Sequence, residues 1–431
     1  MRNSTAKDYK AVLDELFFQN ELTKNNFVGL ANDGAKVLTG QDKGLVNIMR
    51  KECHFFDLID TCHGLNLIIQ KFLAEVDPKT INFINDCSNF FINSNKRLQS
   101  LIKIQEKRNL PTLAPIEWVK TRWLSLRTSL ERLRKIWTPL KIFFLSECCT
   151  KWEIGNEIDC SIMDEPEIDQ IGLDILSRII ESTVNIHDKK FLEAFNEETT
   201  DNSLSNDQRA KVKLYLIAKK FFNVEVRWKL KFLSFIVDYF NFQSLKFQSQ
   251  NLEIQELKNI CIQTIEKFSK ICLKKEDSWI EIAKQLPKER ESIKFNKISE
   301  EVKEQIIDNY FLIYEDLNTR MKLHGIGFHY CGNQEKCMKF AIDSFLLLIV
   351  YLIKYLPLKD EIVEALDCLQ FKDAEHIIIS KFLVLNQNFK LIPPEKEEDL
   401  VLEIQDAKLL FLDNNIRSSL LKVWSQLRDE P

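Results

Sequence analysis

Three groups of residues in this chain have the types and spacing that chemistry needs, and the first is a lone carboxylate. The apolar stretch Asn26-Phe27-Val28-Gly29-Leu30-Ala31 runs into Asn32-Asp33-Gly34-Ala35. A carboxylate at the end of an apolar strand, before a turn-forming Gly, sits where α/β folds bind metals and ligands. The plainer alternative is an Asp that opens a turn or caps the next helix. The second group repeats the layout. Phe55-Phe56-Asp57-Leu58-Ile59 is apolar and extended, ends near Cys62-His63, and precedes a helix through Leu65, Leu67, Ile68, Phe72 and Leu73. His63 is therefore a candidate partner of the strand-end carboxylate. Its alternative role is a helix-start His bonded to backbone, with Cys62 as a small core residue. The third group is basic. Residues 96–141 hold 12 Lys/Arg and 3 Asp/Glu, including Arg122, Arg127, Arg132, Arg134 and Lys141, with Trp123 beside Arg122. Guanidinium groups pair with phosphates and an aromatic ring stacks on a base. A solvated basic helix face is the competing reading, and Trp123 also fits an apolar helix seam.

Other chemistries find less support. His324, His329, Cys331 and Cys337 are all zinc-ligand types, but their spacing fits no familiar finger, and a Gly-rich inter-helix loop accounts for them. The chain has no Gly-x-Ser-x-Gly, no phosphate-cradling Gly-rich loop before a Lys and no dinucleotide fingerprint.

Four blocks in order, NFVGLANDGAKVLTGQDKGLVNIMRKE, FFDLIDTCHGLNLIIQKFL, FINSNKRLQSL and VKTRWLSLRTSLERLRKIWTPLKIFF, resemble the middle of an hAT-superfamily DNA transposase and span roughly residues 26 to 145. The resemblance implies a ribonuclease H-like α/β core interrupted by a large all-helical insertion. It assigns Asp33 to the family's second catalytic Asp, an ancestral ligand of Mg2+ or Mn2+ in two-metal-ion chemistry. It sets His63 at the end of a family Cys/His motif, here degraded because Asp60 stands where a Cys is expected. It makes Thr121-Arg122-Trp123 the start of the insertion, with Arg122, Trp123, Arg127, Arg132, Arg134 and Lys141 as candidate DNA contacts. The expected first Asp has no counterpart, since the 32 residues before Asp33 read as a helix. No acidic residue near the end, Glu395, Glu397 and Glu398 included, sits in a catalytic context, although Trp424 fits the start of the family's closing segment. One carboxylate cannot hold two metals. The expectation is thus a transposon-derived, nuclear pseudoenzyme that needs no cofactor and retains DNA binding or protein interaction. The alternatives are a helical scaffold or homo-oligomer that touches no nucleic acid, and a fragment of an active transposase whose missing carboxylates lie elsewhere.

These residues must be positioned by long helices. At 431 residues, 45% hydrophobic, with only 10 Gly, 10 Pro and 30 Phe, the chain is expected to be mainly α, with short parallel strands as a truncated ribonuclease H-like remnant. The expected division is a partial ribonuclease H-like region over 1–110 and a helical insertion-type domain over 111–431. A further boundary is expected near 147–169, where eight acidic residues face one Lys. From Glu117 onward Val119, Trp123, Leu126, Leu130, Leu133, Trp137, Leu140 and Phe144 predict one long helix, kinked by Pro139. Net charge is −4, yet residues 1–150 carry 22 basic and 16 acidic side chains, a local +6 that leaves −10 for the rest. A local patch matters more to a polyanion than the sum. Eleven irregularly spaced Cys suggest reduced thiols inside a cell, and Phe345 to Ile353 is too short an apolar run to cross a membrane.

Overall fold

The computed structural model describes residues 5–24, 27, 29–33, 35–40, 43–53, 55–119, 125–148, 169, 172–174, 176–177, 205–248, 257–287, 293–328, 331–358, 365, 378–389 and 393–414. The protein is mainly helical. Its first elements form a small unit with a core of its own. Helix α1 (Ala6–Gln19) starts at a reciprocal cap between Thr5 and Asp8. Strand β1 (Gly29–Asn32) follows, then the short helices α2 (Lys36–Thr39) and α3 (Leu45–Met49), and strand β2 (Phe56–Ile59). The strands run parallel, with Gly29 opposite Phe56 and Asn32 opposite Ile59. A parallel pair needs a crossover, and α2 and α3 supply it. Ala6, Leu45, Val46, Met49, Cys53 and Phe55 pack as one buried cluster, joined by Leu13, Phe17 and Phe27.

The larger core begins at Leu65. Helices α4 (Thr61–Val76), α5 (Pro78–Ile92) and α6 (Asn95–Lys107) each start at a side-chain cap. Asp60 accepts from Cys62 N, Asp77 from Thr80 N and Ser94 from Arg97 N, and Pro78 opens α5 where its missing N–H costs nothing. The proline-bearing stretch after α6 is extended and pinned by buried polar side chains. Gln105 donates to Leu113 O at 2.8 Å and accepts from Leu113 N at 2.6 Å, while Ser88 donates to Ile116 O at 2.8 Å. Helices α4 to α6 thus belong to the larger cluster, whose buried residues run from Leu65 to Leu356, while Ala6 to Phe55 form the smaller one.

The single long helix expected from Glu117 is two helices. Residues 117–119 are coil, and α7 (Ser125–Lys135) and α8 (Trp137–Cys148) meet at Ile136. Ile136 N still donates to Arg132 O at 3.1 Å and Leu140 N to Ile136 O at 3.0 Å. Only Pro139, which has no N–H to give to Lys135, interrupts the ladder. The seam itself is buried as expected at Leu126, Leu130, Leu133, Trp137, Leu140 and Phe144.

Beyond this lie α9 (Asn206–Phe221), α10 (Val224–Phe247), α11 (Leu257–Cys272), α12 (Ser278–Gln285), α13 (Glu300–Tyr310), α14 (Tyr314–Leu323), α15 (Gln334–Tyr355), α16 (Ile379–Phe389) and α17 (Glu397–Asn414). Apolar periodicity predicts one helix over 208–245, and the structure breaks it at Asn223, whose side chain caps α10. Periodicity also predicts helices over 170–196 and 359–369; residues 172–174, 176–177 and 365 are helical, and the other residues of both stretches lie outside the described ones. Apolar on all sides, α15 is buried from Ser344 to Ile353, as a central helix must be. It lies against α4, where Tyr351 Oη donates to Glu75 and the Gly64 Cα faces the Tyr355 carbonyl. Phe83, Phe90, Phe91, Trp137, Phe143, Phe144 and Phe221 form a ring cluster with centroids 4.7 to 6.2 Å apart. Edge-on and tilted rings predominate, the arrangement their quadrupoles favour. Among the described residues no helix is long and apolar enough to cross a membrane.

Candidate functional site

Two carboxylates leave the C-terminal edge of the strand pair. Asn32 and Ile59 are register partners, so Asp33 and Asp60 are the next residues on each strand, and Asp60 N donates to Asn32 O at 2.7 Å. Both side chains are exposed and both close local turns. Asp33 Oδ1 accepts from Ala35 N at 2.9 Å, and Asp60 Oδ1 accepts from Cys62 N at 2.9 Å. A third carboxylate, Asp57, lies within β2. It accepts from Asn32 Nδ2 and sits 3.9 Å from Arg50 Nη2. Burial pushes its pKa above the ordinary carboxylate value, against the pull of Arg50 and Asn32. His63 lies half-buried in the first turn of α4. Its neighbour Cys62 is directed the other way in function: its thiol reaches Ser244 O at 3.8 Å, and burial raises its pKa to about 11, so it is an unreactive packing thiol. Among the described residues no three His, Cys, Asp or Glu side chains are grouped to hold a metal ion.

The basic candidates are dispersed. Arg122 and Trp123, as well as His329 and Trp424, lie outside the described residues. Arg127 is exposed on α7 and pairs with Asp238 of α10 at 2.8 Å. Arg132 Nη1 donates to Ala114 O at 2.9 Å, tying α7 to the extended stretch. Lys141 corrects the expectation of a DNA contact. Its side chain is wholly buried, ion-paired to the equally buried Asp169, with its Nζ 5.2 Å from the Phe222 ring. It lies on the core side of α8, where a cation persists when a carboxylate meets it. Lys141 cannot reach a phosphate.

Arg134 is the candidate that opens onto a cavity. A hollow of about 540 Å3 lies where the α7/α8 junction faces α10. Its basic lining is Arg108, Arg134, Lys135, Arg227 and Lys231; its apolar lining includes Leu130, Leu133, Trp137, Pro139 and Leu230, and among the described residues none of the lining is acidic. Lys135 also meets Glu131 at 2.8 Å on the outer face of α7. Burial, Arg227 and Arg134 all lower the Lys231 pKa, which marks a crowd of like charges. Trp137 contributes a buried indole N–H with no hydrogen-bond acceptor among the described residues. Arg108, Arg227 and Lys231 were not recognised in the sequence. The one available signal was the spacing of four between Arg227 and Lys231, which places both on one face of a helix.

The zinc-type residues do other work. His324 ends α14 and packs on Phe235 at 5.0 Å, while Cys331 and Cys337 are buried thiols. Gly325 and Gly332 take positive φ of 72° and 65°, the turn geometry expected of an inter-helix loop. Comparison of the chain with family models, with curated proteins and with solved structures returns no match.

Proposed function

We propose that this protein is a transposon-derived, hAT transposase-like chain without a working catalytic triad, which binds nucleic acid in the nucleus through the basic hollow between α7/α8 and α10. The observation that carries the reading is that hollow, whose described lining holds five cations and no carboxylate in a chain of net charge −4. The ancestry is supported by Asp33 following β1 of a parallel pair, with a helical body after it. Its incompleteness rests on Asp33 being the one carboxylate that the resemblance places in a catalytic context. A ribonuclease H-like remnant of this kind would supply a scaffold and no metal pair.

The test is duplex binding as a function of salt. Affinity should fall steeply with salt, and Arg134→Ala and Arg227→Ala should each weaken binding on all sequences and reduce the salt slope by about 1. No binding at low salt would remove the reading. Incubation of supercoiled DNA with Mg2+ or Mn2+ should give no nicking; nicking abolished in Asp33→Asn would establish an active nuclease instead. A second reading, a protein-interaction scaffold, draws on α1, where Tyr9, Val12 and Leu16 leave an exposed apolar line at helical spacing. Self-association lost on Val12→Glu and Leu16→Glu, with no DNA binding, would favour it.

A further inference from the structure

Helix α6 carries a row of cations on its outer side. Lys96, Lys103 and Lys107 are exposed, and none of their ammonium groups has an ion-pair or hydrogen-bond partner among the described residues. At 3.6 residues per turn they fall within about 40° of one another, on the side away from the buried Leu101 and Gln105, and span about 16 Å of helix axis. A merely solvated basic face would carry an electrostatic cost here. Lys96 stands in the first turn, at the positive end of the helix dipole, and that turn holds no acidic side chain. Lys103 and Lys107 are four apart, where like charges repel. Lys107, in the last turn, is the member of the row that the helix itself favours. Glu106, the one acidic residue of α6, lies to one side of the row. The neighbouring Arg97 is turned inward, its guanidinium 4.0 Å from the centre of the Phe90 ring and donating to Phe90 O at 3.2 Å.

Between Lys96 and Lys103 the outer face shows Gln99 and Ser100, and it carries no large apolar side chain. It therefore has nothing to insert into a lipid surface and nothing to grip the side chains of a peptide. A duplex backbone asks for neither. It presents a charge for about every 1.7 Å of axis, and ammonium and amide groups meet it without reading bases. The row also ends where the hollow begins, since Lys107 precedes Arg108, which with Leu110 belongs to the lining of that hollow. We propose that the outer face of α6 is a track for the sugar–phosphate backbone of duplex nucleic acid, continuing from the hollow, with Lys96, Lys103 and Lys107 each meeting a phosphate and the Gln99 amide donating between them. This rests on the nucleic-acid reading and extends the contact surface to a helix that the reading does not use.

The experiment is fluorescence anisotropy of the full chain with a labelled duplex across a salt series. Lys96→Ala, Lys103→Ala and Lys107→Ala combined should weaken binding about tenfold or more at low salt and reduce the salt slope by about 3, equally on duplexes of unrelated sequence. All three positions are exposed and Ala is the strongest helix former, so the thermal unfolding of this variant should match that of the parent. Lys297→Ala, Lys322→Ala and Lys339→Ala combined remove the same charge at exposed positions elsewhere and should leave the slope unchanged. Equal losses in the two triple variants would reduce the row to a share of the overall charge and overturn the proposal. An unchanged slope in the α6 variant, with Arg134→Ala still lowering it, overturns the proposal and leaves the reading of the hollow standing. Absence of duplex binding, with or without capture of polyglutamate through the row, overturns both.

Discussion

At the scale of single residues, Lys141 and Asp169 make the sharpest prediction. Both side chains are excluded from solvent and meet as an ion pair. Lys141→Met would remove the cation that meets the buried Asp169 carboxylate, at a cost of about 3–5 kcal/mol in unfolding free energy. Adding Asp169→Leu should recover most of that loss, a pattern readable in denaturant titrations of the two variants. A merely superficial pair would show neither the loss nor the recovery. The pair also shows why this residue was misjudged. Spacing relates 127, 134 and 141 on a helix, but which side of the bundle each one meets depends on packing partners. The partner here is 28 residues away in the acidic stretch. Asp33 was more legible, because an apolar run that ends in Asp-Gly has few places to go but a strand tip.

At the scale of elements, the α4–α5 junction is held to α10 by Lys229, which pairs with Asp77 at 2.9 Å and with Glu225 at 3.0 Å. Burial works to raise the Asp77 pKa, but Lys229 and the Thr80 contacts together hold it below the ordinary value. A depressed carboxylate contributes stability that is present above its unfolded pKa and lost as pH falls through its folded one. Lys229 itself is raised by Asp77 and Glu225 against burial, so its share is present below the ordinary Lys value and lost only at strongly alkaline pH. Lys229→Met should therefore lower stability at neutral pH and flatten its decline into acid, measured by thermal unfolding across pH. A second element-level test is Gly64, where a Cβ would stand 3.4 Å from the Tyr355 carbonyl. Gly64→Val should push α4 off α15 and cost about 1–3 kcal/mol. The long seam from Leu126 to Phe144 was visible as apolar periodicity, whereas the caps at Ser94 and Ser205 emerge from the structure. The break at Ile136 was foreseen as a kink at Pro139 and arrived a turn earlier, because proline acts on the carbonyl four residues before it. Arg108 and Arg227 could not be joined by reading along the chain, since only the packing of α10 against α7 makes them neighbours.

At the scale of the whole molecule, the separation of the two apolar clusters between Phe55 and Leu65 predicts separable stability. In native-state hydrogen exchange the amides of α1, α3 and the strands should open at lower free energy than those of α4, α10 and α15, which share the large core. Equal protection throughout would show that the two clusters unfold as one.

The strand pair carries one more consequence. Among the described residues, β1 and β2 have only each other as partners, so each strand turns a row of main-chain donors and acceptors outward. Such a margin is a template for foreign backbone. At high concentration this end of the protein, rather than its helical bulk, is where chains should first stick together. The resulting aggregates should gain intermolecular β-structure by infrared spectroscopy while the helical signal persists.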